Sequence, residues 1–411
     1  MILTNRFTLS NGLRVVHHQN SATAMVALNI LYNVGSRDEH PSRTGMAHLF
    51  EHLMFGGSEN IPEFDKALES AGGTNNAWTN CDFTNFYDIV PAHNVETAFW
   101  LESDRMKSLA FSDKALEVQR QVVCEEFKQV CLNQPYGDLY HHLNRLAFKE
   151  HPYRHPVIGK ELSHIEGVTQ DMVRTFFHSH YAPNNAVLAV VGNISVDDVR
   201  EYAEKWFGPI PSRGISPRDY PPEPVQTEPR RGVAYGRVPQ TLIVKAYHMP
   251  GYVDPDYPAC DLITDLLASG RTSRFYRNLV MSSDLFTRAD ASVVGSEEPG
   301  LMLLMGALRD GADESAAEAA LEAEALSLVG NPPSDYEFER TLNLFESRQT
   351  FGSMSYVNLA STLAMCEMHG ESFDSIIPRY RSVRVADIVR VASAILRPEN
   401  CTTLVYRPKN D

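Results

Sequence analysis

Apolar residues recur along this chain at two spacings, and the changes between them outline its elements. MVALNILYNV (25–34) is a near-continuous apolar run of strand length, as expected of a buried strand. A polar loop, GSRDEHPSRTG, leads from it into MAHLFEHLMF, whose apolar positions follow a helical period between Thr44-Gly45 and Gly56-Gly57. FTNFYDIVP then reads as a strand and VETAFWLESDRMKSL as a helix. The run ALEVQRQVVCEEFKQVCL predicts a long helix whose apolar stripe passes through Val122, Val123, Phe127 and Val130. Glu126 lies on that stripe, while Glu125 faces Gln121, Lys128 and Gln129. MVRTFFHSH and NAVLAVVGNIS close this half as a helix and a strand. At the N-terminus, MILTNRFTLSNGLRVV reads as two strands joined by a turn at Asn11-Gly12.

The second half repeats the order. Strand-like TLIVKAYHMP leads through GYVDPDYP to the helix ACDLITDLLASG, then to strand LMLLMGALRD and helix ESAAEAALEAEALSLV. SDYEFERTLNLFESRQTF echoes SDKALEVQRQVVCEEFKQV, and VADIVRVASAIL and CTTLVYRP end the copy. Laying FEHLMFGG over ITDLLASG sets His48 on Asp261, Glu51 on Thr264 and His52 on Asp265. The pattern predicts an α+β fold of two similar domains, each a mostly antiparallel sheet backed by helices. Between the copies lies a stretch dense in proline and charge. The expected boundaries are a first domain over 1–208, an extended linker over 209–231 and a second domain over 232–411.

The length of 411 residues suits two domains, and 43 per cent apolar content gives each a core. A net charge of −15 argues against nucleic acid and anionic membranes as partners and suits cationic peptides. No run reaches the roughly 18 apolar residues of a membrane span. The six cysteines have no C-x-x-C spacing, and the N-terminus has neither an apolar signal core nor transit-peptide character. Reduced thiols in a cytoplasmic protein are therefore expected.

The chemistry concentrates in His48, Leu49, Phe50, Glu51 and His52, which read H-x-x-E-H. On a helix the two imidazoles lie one turn apart on one face, with Glu51 beside them. Two neutral imidazoles can grip a divalent metal, and the carboxylate can take a proton from water. A catalytic zinc site needs one more protein ligand. Glu126, a carboxylate on a core-facing stripe, needs a cation and is the candidate. Glu125 reads as a solvated acid or a group just behind the site. Cys124 reads as a small core residue. Two histidines and a carboxylate favour zinc over harder metals. His17, His18, His141, His142, His151, His155, His178 and His180 lack a further ligand at metal spacing and read as surface or core residues.

Together these segments resemble the pitrilysin (insulinase) family of zinc peptidases, in particular its short two-domain members. HLFEHLMFGGS resembles the family's zinc helix, and GGTNNAWTNCDFTNFYDIVP its G-G-x-x-N-A-x-T segment. QRQVVCEEFKQ resembles its acidic helix, and HYAPNNAVLAVVGNIS the end of its first domain. The resemblance implies one zinc ion per chain, held by His48, His52 and Glu126, with Glu51 as general base. It also implies that Asn76 and Ala77 bind the substrate strand, although Asn76 also reads as a turn residue after Gly72 and Gly73. Peptides would be the substrates, enclosed in a clamshell chamber of which this chain forms half. A dimer is thereby implied, either a homodimer or a heterodimer with a similar subunit.

Two departures bear on activity. Gln119 stands where the family usually has a supporting Glu, and a neutral amide adds no charge. Val280 and Thr287 stand where an Arg and a Tyr often reach the substrate carbonyl. Arg271, Arg274, Tyr276 and Arg277 are the nearby alternatives, or ordinary helix-surface and capping residues. The rival expectation is a non-catalytic or partner-dependent peptide-binding subunit of a heterodimer.

Overall fold

The computed structural model describes residues 2–215, 217–295 and 297–409. In chain order the first half contains β1 (Asn5–Thr8), β2 (Arg14–Gln19), β3 (Met25–Tyr32), α1 (Met46–Leu53), α2 (Phe64–Ser70), β4 (Thr74–Thr79) and β5 (Thr84–Pro91). It continues with α3 (Val95–Lys107), α4 (Asp113–Phe127), α5 (Leu139–Ala147), α6 (Leu162–Glu166), α7 (Gln170–His180), β6 (Ala186–Gly192) and α8 (Val196–Trp206). The second half contains β7 (Arg230–Gly236), β8 (Leu242–Met249), α9 (Tyr257–Ala268), β9 (Phe286–Val294), β10 (Gly300–Leu308) and α10 (Glu314–Gly330). It ends with α11 (Asp335–Gly352), α12 (Tyr356–His369), α13 (Ile376–Arg381), α14 (Val385–Ile395) and β11 (Cys401–Pro408).

The chain forms two units, each built on one sheet. The first sheet runs β1-β2-β6-β3-β5-β4 and the second β7-β11-β8-β10-β9. In the first, only β2 and β6 run parallel; in the second, only β7 and β11 do. Apart from β1, the second sheet therefore repeats the first strand for strand and direction for direction, as the duplicated sequence pattern predicts. β3 and β6 are central and almost wholly buried, which explains their near-continuous apolar sequences. The turn before β2 contains Gly12 at φ +90°, and the Asn11 amide beside it donates to the carbonyls of Phe207 and Ile210.

The units are not contiguous. Lys128–Arg154 belongs to the second unit and Gln349–Ile376 to the first. Thus α12, from the C-terminal half, covers β3 and β6. Its Leu359, Ala360, Leu363 and Ala364 join Val16, Ala27, Leu31, Val187 and Ala189 in one core. Reciprocally, α5 packs Leu139, Leu143 and Ala147 in the second unit, against β7, β8 and β11. The expected split at 208 and 232 misses this exchange, because an amphipathic stripe is the same whichever sheet it covers.

The extended linker expected over 209–231 is tied down in the structure; Ser216 lies outside the described residues. In the first unit the Arg213 guanidinium donates to the Tyr181 carbonyl at 2.8 Å and lies 4.6 Å over the Phe177 ring. Arg218 there pairs with Asp38 at 2.7 Å. In the second unit the Glu223 carboxylate accepts the N–H groups of Lys149, Glu150 and His151 at 2.9–3.1 Å. The segment is irregular but strapped down on each side, and its last two residues already belong to β7.

Candidate functional site

The first unit fixes α1 at its N-terminus. Buried Glu39 accepts the N–H groups of Gly45 at 2.8 Å and Ala47 at 2.7 Å, satisfying donors that the first turn leaves open. Burial pushes the Glu39 carboxyl up to about 8, against the pull of these donors. Gly45 takes φ +89°, and a Cβ there would meet the Ile158 carbonyl at 2.9 Å, so this entry requires glycine. Met46, Ala47, Leu49, Phe50 and Leu53 form the buried face of α1, and Phe50 stacks on Tyr181 with ring centroids 4.3 Å apart.

His48, Glu51 and His52 occupy the remaining, half-buried face. The two imidazoles lie edge to face, with centroids 4.9 Å apart. From α4, the Glu126 carboxylate approaches the Nε2 atoms of His52 at 3.3 Å and His48 at 3.8 Å. Among the described residues this is the one group of three His, Cys, Asp or Glu side chains with donor atoms all within 4.8 Å of one another. None of the eight other histidines weighed from the sequence joins such a group.

Electrostatics favour a cation here. Burial pushes His48 down to about 4, helped by the neighbouring His52 and opposed by Glu126, so its imidazole is neutral at pH 7. The hydrogen bond from His52 holds Glu126 below the usual carboxylate range. A tetrahedral zinc with bonds of about 2.0–2.1 Å sets its ligand atoms roughly 3.3–3.4 Å apart. The 3.3 Å separation from His52 matches that spacing, the 3.8 Å separation from His48 is a few tenths of an ångström wider, and three donors leave one position open.

Glu51 accepts a short hydrogen bond on Oε2 from the Thr79 hydroxyl, at 2.5 Å. Burial raises its pKa and this bond opposes the rise. Thr79 was not singled out from the sequence; the available signal was its place in the GGTNNAWTN segment. It closes β4, an edge strand paired only with β5. Asn76 and Ala77 lie on the same strand, so Asn76 is a strand residue and not the turn residue of the alternative reading. Its side-chain oxygen accepts the Ala77 N–H at 2.8 Å.

The other candidates fall outside the cluster. Glu125 is exposed on the next face of α4, and Gln119 is half-buried two turns before Glu126. Cys124 is buried. Val122 and Val130, expected in the core stripe, are 45% and 38% exposed, so Val123 and Phe127 carry the packing. In the second unit Val280 is half-buried, and the Thr287 hydroxyl exchanges hydrogen bonds with Gln240 at 3.0 and 3.1 Å. Arg274 is engaged by Glu337, Ser327 and the Asn331 carbonyl, which is structural work. Arg271 and Arg277 are exposed and Tyr276 is half-buried.

Two family models match the chain in succession. Residues 14–161 fit the model described as insulinase (peptidase family M16), and residues 167–345 fit the peptidase M16 inactive domain. The chain belongs to the M16 family. The M16 relatives include the zinc protease PqqE of Helicobacter pylori, 27% identical over 98% of this chain and 92% of that protein. The mitochondrial-processing peptidase subunit beta of Saccharomyces cerevisiae is 26% identical over 62% of this chain and 56% of its own length. The crystal structure of a protease from Helicobacter pylori superposes with a TM-score of 0.93. It has 26% identity and covers 99% of this chain and all of that one.

The M16 inactive-domain match suits what the second unit places at the corresponding positions. Asp265, on α9 where His52 lies on α1, pairs in two contacts with Arg348 of α11, one of them at 2.9 Å. Arg348 stands where the sequence repeat aligns Glu126. Asp261, in the place of His48, accepts the Tyr380 hydroxyl at 2.8 Å. A guanidinium thus supplies the positive charge inside an internal ion pair.

Proposed function

We infer that this chain is a zinc-dependent endopeptidase or oligopeptidase, with His48, His52 and Glu126 holding one zinc ion and Glu51 as general base. The observation that carries this reading is the convergence of those three donors beside a carboxylate aligned by its own hydrogen bond. Zinc bound there supplies Lewis acidity to the scissile carbonyl and to the attacking water. Glu51 accepts the proton of that water and delivers it to the departing amine. A substrate segment adds to the open edge of β4, where Asn76 and Ala77 lie, and main-chain hydrogen bonds carry much of its binding. The absence of a family-type Arg and Tyr at Val280 and Thr287 bears on the oxyanion and points to help from a second subunit. A homodimer, or a heterodimer whose partner contributes those groups, satisfies this reading.

The test is cleavage of a mixed peptide library by the purified zinc-replete chain beside Glu51→Gln. Cleavage by the wild type alone supports a self-sufficient peptidase and gives its residue preference. Cleavage that appears only with a co-purified second subunit supports the heterodimer. Zinc bound at one per chain without turnover in either preparation favours the second reading, a non-catalytic peptide-binding subunit, which Gln119, Val280 and Thr287 motivate.

A further inference from the structure

We propose that the Thr79 hydroxyl is a positioning group for the base, holding one oxygen of Glu51 so that the other faces the water. The inference rests on the zinc-peptidase reading of the site. Glu51 projects from a helix whose opposite face is locked by Phe50 on Tyr181, so the backbone of α1 is fixed while the long side chain has rotatable bonds of its own. Thr79 removes that freedom. Its hydroxyl donates to Oε2 at 2.5 Å, while Oε1 has no hydrogen-bond partner among the described residues. A carboxylate anchored through one oxygen keeps the lone pairs of the other at a set distance from the reacting water. Misplacement of about 1 Å at such a group costs on the order of a hundredfold in rate.

Thr79 suits the role because it does not join the donor cluster and because it ends a strand. β5 holds β4 in register, with Thr79 opposite Thr84, so the hydroxyl is presented by sheet backbone and not by a mobile loop. The hydroxyl acts through Glu51 alone. Its loss should therefore leave zinc affinity and substrate binding in place and remove turnover.

Two variants separate this role from packing. Thr79→Val keeps the shape and deletes the donor; Thr79→Ser keeps the donor and deletes a methyl. The expected result is a kcat lower by roughly 10- to 100-fold in Thr79→Val, with KM within about twofold and zinc stoichiometry unchanged. Thr79→Ser should recover kcat to within about threefold. Crystal structures of both zinc-loaded variants give a readout independent of activity. Glu51 should leave its place or split between rotamers in Thr79→Val and keep its place in Thr79→Ser, with His48, His52 and Glu126 unmoved in both. An unmoved Glu51 in Thr79→Val overturns the proposal, as does an unchanged kcat or a loss confined to KM. If the wild type cleaves nothing, alone or with a co-purified second subunit, the peptidase reading fails, and the crystallographic comparison still decides whether Thr79 positions Glu51.

Discussion

Apart from β1 the two units carry the same sheet order, and in each a side chain from the later helix reaches the earlier one at corresponding positions, yet the chemistry there is opposite. In the first, α1 and α4 bring two imidazoles and a carboxylate together as an open set of donors. In the second, α9 and α11 bring a carboxylate and a guanidinium that already satisfy each other. One junction is a binding site and the other a strut. The fold supplies the junction; the residues placed on it decide whether it holds a ligand or only itself. A self-satisfied pair adds stability but has nothing left to offer a substrate. An incomplete set is functional because it is incomplete.

Substitutions can break this comparison from either side. The largest effect is expected for Glu51→Gln, with kcat falling on the order of 10²–10⁴-fold and zinc retained, read by peptide turnover and metal analysis. Thr264→Glu at the corresponding place in the second unit should gain no activity, since among the described residues no three metal donors converge there. Next comes conversion of the strut. A variant carrying Asp261→His, Asp265→His and Arg348→Glu should bind a second zinc equivalent, measured by calorimetry, without added turnover. If that protein folds and binds only one equivalent, the two junctions are less alike than their shared topology indicates.

Single truncations should separate the two roles through stability. Arg348→Ala strands the mostly buried Asp265 and should cost about 1–2 kcal/mol in denaturant unfolding, a figure lowered because Arg348 is 46% exposed. Glu126→Ala in metal-free protein should cost less than about 0.5 kcal/mol and reveal its effect only when zinc is added. A pH-dependent effect concerns Glu39, whose carboxyl burial pushes up to about 8, above the unfolded carboxylate value. The folded protein then binds more protons between those two values, so this group's contribution to stability falls as pH rises from about 4.5 to about 8. Thermal melts of metal-free wild type and Glu39→Gln should diverge in that direction across the window. The contribution levels off above it.

Much of the site was legible because it depends on short-range spacing. The H-x-x-E-H pentad sets its own geometry once a helix forms, and α1 begins and ends between the glycines that mark it. Glu126 was reached through a stripe that was only half right. Val122 and Val130 are exposed, and Glu126 sits at the rim of the buried face, its side chain 37% exposed, not within the core. Thr79 was not legible from spacing, since its partner lies 28 residues away and only strand register brings them together. The same limit hid the exchange of α5 and α12, for which nothing local distinguishes one sheet from the other. The linker reads as extended because proline and charge favour extended chain, and composition does not show what fastens it. Arg213, Arg218 and Glu223 instead use those charges to fasten it.

The most direct test of the central claim is zinc content per chain, after exhaustive dialysis against a zinc buffer, for wild type, Glu126→Ala and Asp265→Ala. The account predicts one equivalent in wild type, loss of that equivalent in Glu126→Ala and full retention in Asp265→Ala. Stoichiometric zinc in Glu126→Ala, with the protein folded, would contradict the assignment of the metal to the junction of α1 and α4.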